Sequence, residues 1–309
     1  MKKFVVKIII FFILLALLDF LVGKTVAYMS KNAKGGYVMH DNYITDGTHE
    51  DILIFGSSRA AHHYNPQIFE DSLGLTCYNC GQEGQCIILF WGWWNVIKEH
   101  YKPKYIIYDV YPLFDVQGKE DANQGNVGML KDVYERTNIK DIFNKVDPKE
   151  KYKMISQMYR YNSKFHQIMA DYIYPIYQIP KNGYQPLQGS LDPLRIKTGE
   201  KIKNMHLNQH VDTLKLHFWK EFINDLQGTK LILVASPEWY GDISKEELTP
   251  IINLCKQYGI PFIDYSHNPS YVHNNDLFVD GSHLNAKGAD IFTNAIVTEI
   301  KKLNLVGKN

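Results

Sequence analysis

A chain of 309 residues with 45% hydrophobic side chains has room for one large α/β domain or two small ones. Its formal net charge is +1 and no long run of one sign occurs, so the broad positive field that nucleic-acid binding needs is missing and nucleic acid is set aside as a partner. The 21 tyrosines and 5 tryptophans suit packed cores and equally suit wet, sugar-binding surfaces.

Residues 1–24, "MKKFVVKIIIFFILLALLDFLVGK", put Lys2, Lys3 and Lys7 ahead of an apolar run and read as a membrane anchor or signal segment. Phe4 to Val22 suffices to cross a bilayer core at about 1.5 Å per helical residue, with Lys7 snorkelling and Asp19 near the outer interface. The uninterrupted part, Ile8 to Leu18, also fits a signal-peptide core, with Thr25-Val26-Ala27 a weak cleavage site. An uncleaved signal anchor is the favoured reading, which gives a single-pass location at the cytoplasmic membrane, and either way the following domain is expected on the extracytoplasmic side. Residues 25–50 are polar and contain glycine, and read as a linker.

From residue 51 to 309, apolar strand-like runs alternate with helical patterns. The runs are Asp51–Phe55, Thr76–Asn79, Lys104–Tyr108, Lys230–Ala235 and Pro261–Asp264; helices are expected over Gln67–Leu73, Ile87–Tyr101, Glu247–Tyr258 and from about Ala286. Short runs of this kind predict strands covered on both faces, hence an α/β fold with a central parallel sheet of about five strands between two helical layers. The alternation lapses at about 114–229, too long for a simple crossover, which reads as a mainly helical insertion. The aromatic stretch "LFWGWWNVIKEHY" fits a helix packed on the sheet better than a sugar platform. Cys77, Cys80, Cys86 and Cys255 lack the paired spacing of a metal site, and no metal is expected.

Two segments carry chemistry. "DILIFGSSRAAHHYNP" places Gly56-Ser57-Ser58 directly after the first strand, where a doubly wound sheet gathers ligands. Serine in such a turn is equally a capping residue. "DLFVDGSHLNAKGADIFTNAI" places Asp280 and His283 three apart before the last helix, a spacing at which a carboxylate can orient an imidazole as the base for a serine hydroxyl. Arg59 offers a planar fork to an anionic substrate group or to a structural carboxylate. His62 and His63 fit a substrate contact or an exposed helix start. An α/β-hydrolase elbow is disfavoured, because its nucleophile follows several strands and its acid lies well upstream of the histidine.

On these residues the chain resembles the SGNH/GDSL hydrolase superfamily, at both ends of the domain but not in the insertion. The resemblance implies a flavodoxin-like three-layer sandwich. It places Ser58 at the nucleophile, His283 at the base and Asp280 at the acid. "YNCGQEGQ" resembles the second family block and puts Gly84 beside Ser58 as an oxyanion-hole amide. "YIIYDVYPLFD" departs from the third block, which supplies an asparagine donor that no residue here matches. The pattern is more similar to the divergent, membrane-anchored members, such as the alginate O-acetylation proteins and the D-alanyl lipoteichoic acid transfer protein. That likeness implies a serine esterase or O-acyltransferase acting on an acylated cell-envelope polysaccharide or small acyl ester. It also implies a membrane-bound O-acyltransferase partner and no cofactor. The alternative is a non-catalytic envelope component of the same fold that binds glycan or that partner.

Overall fold

The computed structural model describes residues 1–118, 123–191, 210–241 and 243–305, apart from the side chain of Gln124. The chain divides into two compact units, Met1–Gly47 with Asn123–Ile179, and Thr48–Ala122 with Pro180–Asn309. The helices used below are α1 (Lys2–Lys31), α2 (Gly36–Asp46), α3 (Ser58–His63), α4 (Pro66–Leu73), α5 (Ile87–Ile97), α6 (Ile139–Val146), α7 (Phe165–Ile173), α8 (Thr213–Asn224), α9 (Lys245–Tyr258) and α10 (Ala286–Lys302).

The larger unit is built on a parallel sheet of five strands, β1 (Ile52–Gly56), β2 (Cys77–Asn79), β3 (Tyr105–Asp109), β4 (Lys230–Ala235) and β5 (Phe262–Asp264), in the order β2-β1-β3-β4-β5. This is the doubly wound, flavodoxin-like order, in which strand direction of growth reverses between β1 and β3 and opens a crevice at their carboxyl ends. Alternate residues of each strand face opposite layers. Ile52, Ile54, Ile107, Ile232 and Val234 join a core with Ala60, Phe69, Phe292 and Ile296, from α3, α4 and α10. On the other face Phe55 stacks on Phe90 of α5 and Tyr108 meets Trp219 of α8, at ring-centroid separations of 5.4 and 4.6 Å. The aromatic helix α5 is buried along its whole length, which is the packing role its composition suggested.

Local signals account for where the helices begin and end. Asn65 caps α4, Pro66 occupies its first turn, and Gly74 closes it in the left-handed conformation. Ser244 and Glu247 form a reciprocal capping box on α9, and the Asn285 side chain accepts from the Gly288 amide at the start of α10.

Two expectations of chain organisation need correcting. The stretch 25–50 is not a linker: α1 continues to Lys31 and α2 occupies Gly36–Asp46, with Val38 and Ile44 buried. Its polar residues misled because they are satisfied inside the smaller unit, Asp41 by Lys164 at 3.0 Å and Asn42 through the Ser30 carbonyl at 2.8 Å. The insertion at 114–229 is likewise not one body. Residues 123–179 belong to the smaller unit, whereas 180–191 and α8 belong to the larger one. Helix α8 packs on α5 as the crossover into β4, burying Phe218, Trp219 and Phe222 while its lysines and glutamate blur the periodicity. Residues 119–122 and 192–209 of that stretch lie outside the described residues.

Candidate active site

Strand β1 ends at Gly56, whose φ of +136° suits glycine and whose absent side chain matters, since a Cβ there would lie 2.7 Å from the Asp109 carbonyl oxygen. The carboxyl ends of β1 and β3 can therefore meet, with Gly56 in register with Asp109. The turn hands the chain to α3, and the two serines part company there. Ser57 is fully buried, while Ser58, the first residue of α3, is partly exposed at the mouth of the crevice.

Asp280 and His283 sit in a short hairpin closed by the bridge between Phe278 and Leu284. Asp280 Oδ1 accepts from the Ser282 and His283 amides at 2.8 and 2.9 Å, which folds the carboxylate back over its own turn. His283 Nδ1 lies 2.9 Å from Asp280 Oδ2, and His283 Nε2 lies 2.8 Å from Ser58 Oγ. With the carboxylate accepting at Nδ1, the free electron pair of Nε2 faces the serine hydroxyl, which donates to it. Burial pushes the Asp280 carboxyl up, but the bonds from His283 and the two amides outweigh it and hold the group below its usual range, so it remains ionised.

The loop after β2 approaches from the other side. A Cβ on Gly81 would lie 2.1 Å from the Ala61 amide nitrogen, so this glycine lets the loop press on α3. The amides of Gly81 and Gln82 are taken by Asn79 Oδ1 and the Gly56 carbonyl, at 2.9 and 3.0 Å. Gly84 sits in an exposed turn at φ +68°, its N–H uncommitted among the described residues.

His62 borders the site. Its ring centroid is 5.5 Å from that of His283, its Nδ1–H donates to the Gln185 carbonyl at 2.6 Å, and its Nε2 is 3.4 Å from Glu83. Burial, reinforced by His283, holds it below the ordinary histidine range. Neither His62 nor His63 is an exposed helix start; both are buried. Arg59 does not face the crevice mouth. It is 1% exposed, donates from Nε to Ser236 Oγ at 2.9 Å and to the Ser236 carbonyl, lies 3.8 Å from Asp109 and stacks over Tyr111. It is therefore the structural alternative for Arg59, pairing with a buried carboxylate, that the geometry favours.

Several positioning residues escaped the sequence reading. His63 Nε2 accepts the Leu284 amide at 3.0 Å, and its Nδ1–H donates to Ser236 Oγ at 3.1 Å. Asp109, the last residue of β3, accepts from Tyr64 at 2.5 Å and so belongs to this scaffold. Asn79 donates to the Ala60 and Tyr64 carbonyls at 2.7 and 2.9 Å and so satisfies the end of α3. For Asn79 and Asp109 the only sequence signal was a polar residue at a strand end, and His63 was expected in a different role.

No protein-family model matches the chain, and no curated protein matches it either. Among solved structures, the chain is similar to a mutant of an acetyl-xylooligosaccharide esterase from Geobacillus Stearmophilus, at 11% identity and a TM-score of 0.41 over 83% of this chain and 96% of that one.

Proposed function

We propose that the protein is a membrane-anchored serine esterase or O-acyltransferase of the SGNH type, acting on an ester-linked acyl group. The observation that supports this reading is the unbroken line from Asp280 through His283 to Ser58, with a 2.9 Å contact inside the hairpin and a 2.8 Å contact between residues 225 positions apart. In this mechanism His283 Nε2 takes the Ser58 proton as Oγ attacks the ester carbonyl, and Asp280 stabilises the imidazolium that forms. The Ser58 and Gly84 amides hold the developing oxyanion. The imidazolium then protonates the leaving alcohol, leaving an acyl group on Ser58. Water or a sugar hydroxyl, deprotonated by His283, resolves that intermediate as hydrolysis or transfer.

The lysines in the first turns of α1 and its exposed apolar surface support an extracytoplasmic domain, while a cell-envelope glycan as substrate and a membrane-bound O-acyltransferase as partner rest on the resemblance to membrane-anchored SGNH members. One observation favours the non-catalytic reading instead: the stretch after β3 carries no asparagine to match the third block that the resemblance implies, and Asp109 at the end of that strand has its carboxylate occupied by Tyr64 and neighboured by Arg59. Acetyl release from a chromogenic acetate ester separates the two. The enzyme reading expects turnover by the wild type and its loss in Ser58→Ala; a folded wild type as inert as the variant contradicts it.

A further inference from the structure

The smaller unit holds Asp19, an acidic residue inside the apolar helix α1, in a definite socket. Its carboxylate accepts from Ser156 Oγ at 2.5 Å and from the Gln157 and Met158 amides at 2.8 and 3.3 Å. One turn further along α1, a Cβ on Gly23 would lie 2.3 Å from Gln157 Cβ, so the turn at 156–158 is pressed against the helix at the level of residues 19–23. That level is the outer edge of the apolar run. Phe4 to Leu21 is about 27 Å long at 1.5 Å per residue, close to the hydrocarbon thickness of a bilayer. Lys24 follows with its ammonium folded back over Phe20, as a cation at the headgroup boundary would be.

The segment around this socket is apolar outward. Tyr152, Ile155 and Met158 are 67, 74 and 43% exposed, and Leu17, Leu18, Phe20 and Leu21 of α1 are about half exposed at the same height. Lys149, Lys151 and Lys153 are also exposed on this segment, Lys151 with its ammonium over the Tyr152 ring and Lys153 in an ion pair with Glu150. Large apolar tips ringed by lysines, continuous with a bilayer-length helix, match the chemistry of an anionic lipid surface.

We propose that residues 149–158 form a second bilayer contact: Tyr152, Ile155 and Met158 enter the outer headgroup–acyl boundary beside α1, and the lysines meet anionic headgroups. The contact rests on α1 spanning the membrane. It explains why Asp19 is tolerated there, since its carboxylate is hydrogen-bonded by a segment seated at the same depth. It would also fix the smaller unit at the membrane surface at two points, where a single helix would leave it free to tilt.

The test uses the full chain in phosphatidylcholine–phosphatidylglycerol vesicles, with a bimane probe on Ile155→Cys and, separately, on Leu15→Cys. The four native cysteines are buried and stay unlabelled in the folded protein. The expected result is blue-shifted emission at 155 that is lost when lipids carry a shallow nitroxide, and emission at 15 that is lost to a deep one. Quenching at 15 without quenching at 155 overturns the second contact and leaves the span intact. A blue shift at 155 without quenching means that protein covers the segment, and overturns it too. Absence of quenching at 15 removes the span, and the proposal with it.

Discussion

The Leu284 amide donates to Nε2 of His63 at 3.0 Å, so the residue after His283 is tied to the helix that begins at Ser58. An amide donor requires a neutral acceptor nitrogen, and burial together with Arg59 and the neighbouring imidazoles holds His63 well below the ordinary histidine range. The other nitrogen then carries the proton and gives it to Ser236 Oγ, which also accepts from Arg59. Ser58 and His283 thus keep their 2.8 Å contact because a buried relay joins the turn after β1, the end of β4 and the last hairpin.

Removing that tie leaves a buried N–H without a partner, a cost of about 1–3 kcal/mol that falls on the geometry of the base. His63→Ala is expected to lower kcat for a small ester about 10- to 100-fold with little change in KM. His63→Gln, whose carbonyl oxygen can accept from Leu284, should recover part of the loss. Steady-state kinetics of the three proteins decide it; a parallel change in KM, or no recovery in the glutamine variant, removes His63 from the positioning role.

The loop after β2 contains two glycines with opposite demands. Ala at Gly81 would drive its Cβ into the Ala61 backbone, whereas Gly84 has open space around it and only its φ of +68° to defend. Gly84→Ala should cost about 1 kcal/mol of stability and keep most activity, because the N–H survives. Gly81→Ala should abolish ester turnover and lower the thermal midpoint far more. Equal effects in the two variants would mean that the close approach of this loop to α3 is wrong.

His40 gives the smaller unit a pH signature. Burial depresses it from 6.5 to about 3, so as pH falls the unfolded chain takes up this proton first. Its contribution to stability is complete above pH 6.5 and drains away as pH falls toward 3, at about 1.4 kcal/mol per pH unit at most. His40→Gln lacks this loss. Thermal midpoints of the detergent-solubilised chains at pH 7.5, 5.5 and 4.5 should fall less steeply in the variant (about two units of pH below the histidine's unfolded value being reached in the last buffer). Parallel curves would contradict a neutral His40 in the folded protein.

Much of the fold could be read along the chain, because strands buried on both faces appear as short apolar runs and the helices between them carry their own caps. All five strands lie within a residue or so of the expected runs, and the parallel order follows from the alternation. Asp280 and His283 stood out by their spacing before the last helix, whereas only the resemblance to the SGNH/GDSL pattern distinguished Ser58 from Ser57. The scaffold behind them was legible only in part: a structural carboxylate was one of two expected roles for Arg59, but which one, and the link from His63 on the same helix to Asp109 and Ser236 at the ends of β3 and β4, depends on elements brought together by the fold. The same blindness turned α2 into a linker, since the partners of Asp41 and Val38 are Lys164 and Asp171, more than a hundred residues on.

The account is tested most directly by the modification of Ser58 itself. The full chain, treated with a fluorophosphonate and digested, is expected to carry a phosphonyl adduct on the peptide containing Ser58, with Ser57 unmodified. The adduct should vanish in Ser58→Ala and form far more slowly in His283→Ala. A folded protein that forms no adduct at Ser58, or forms it at the same rate without the imidazole, would contradict the proton-transfer line from Asp280 to Ser58.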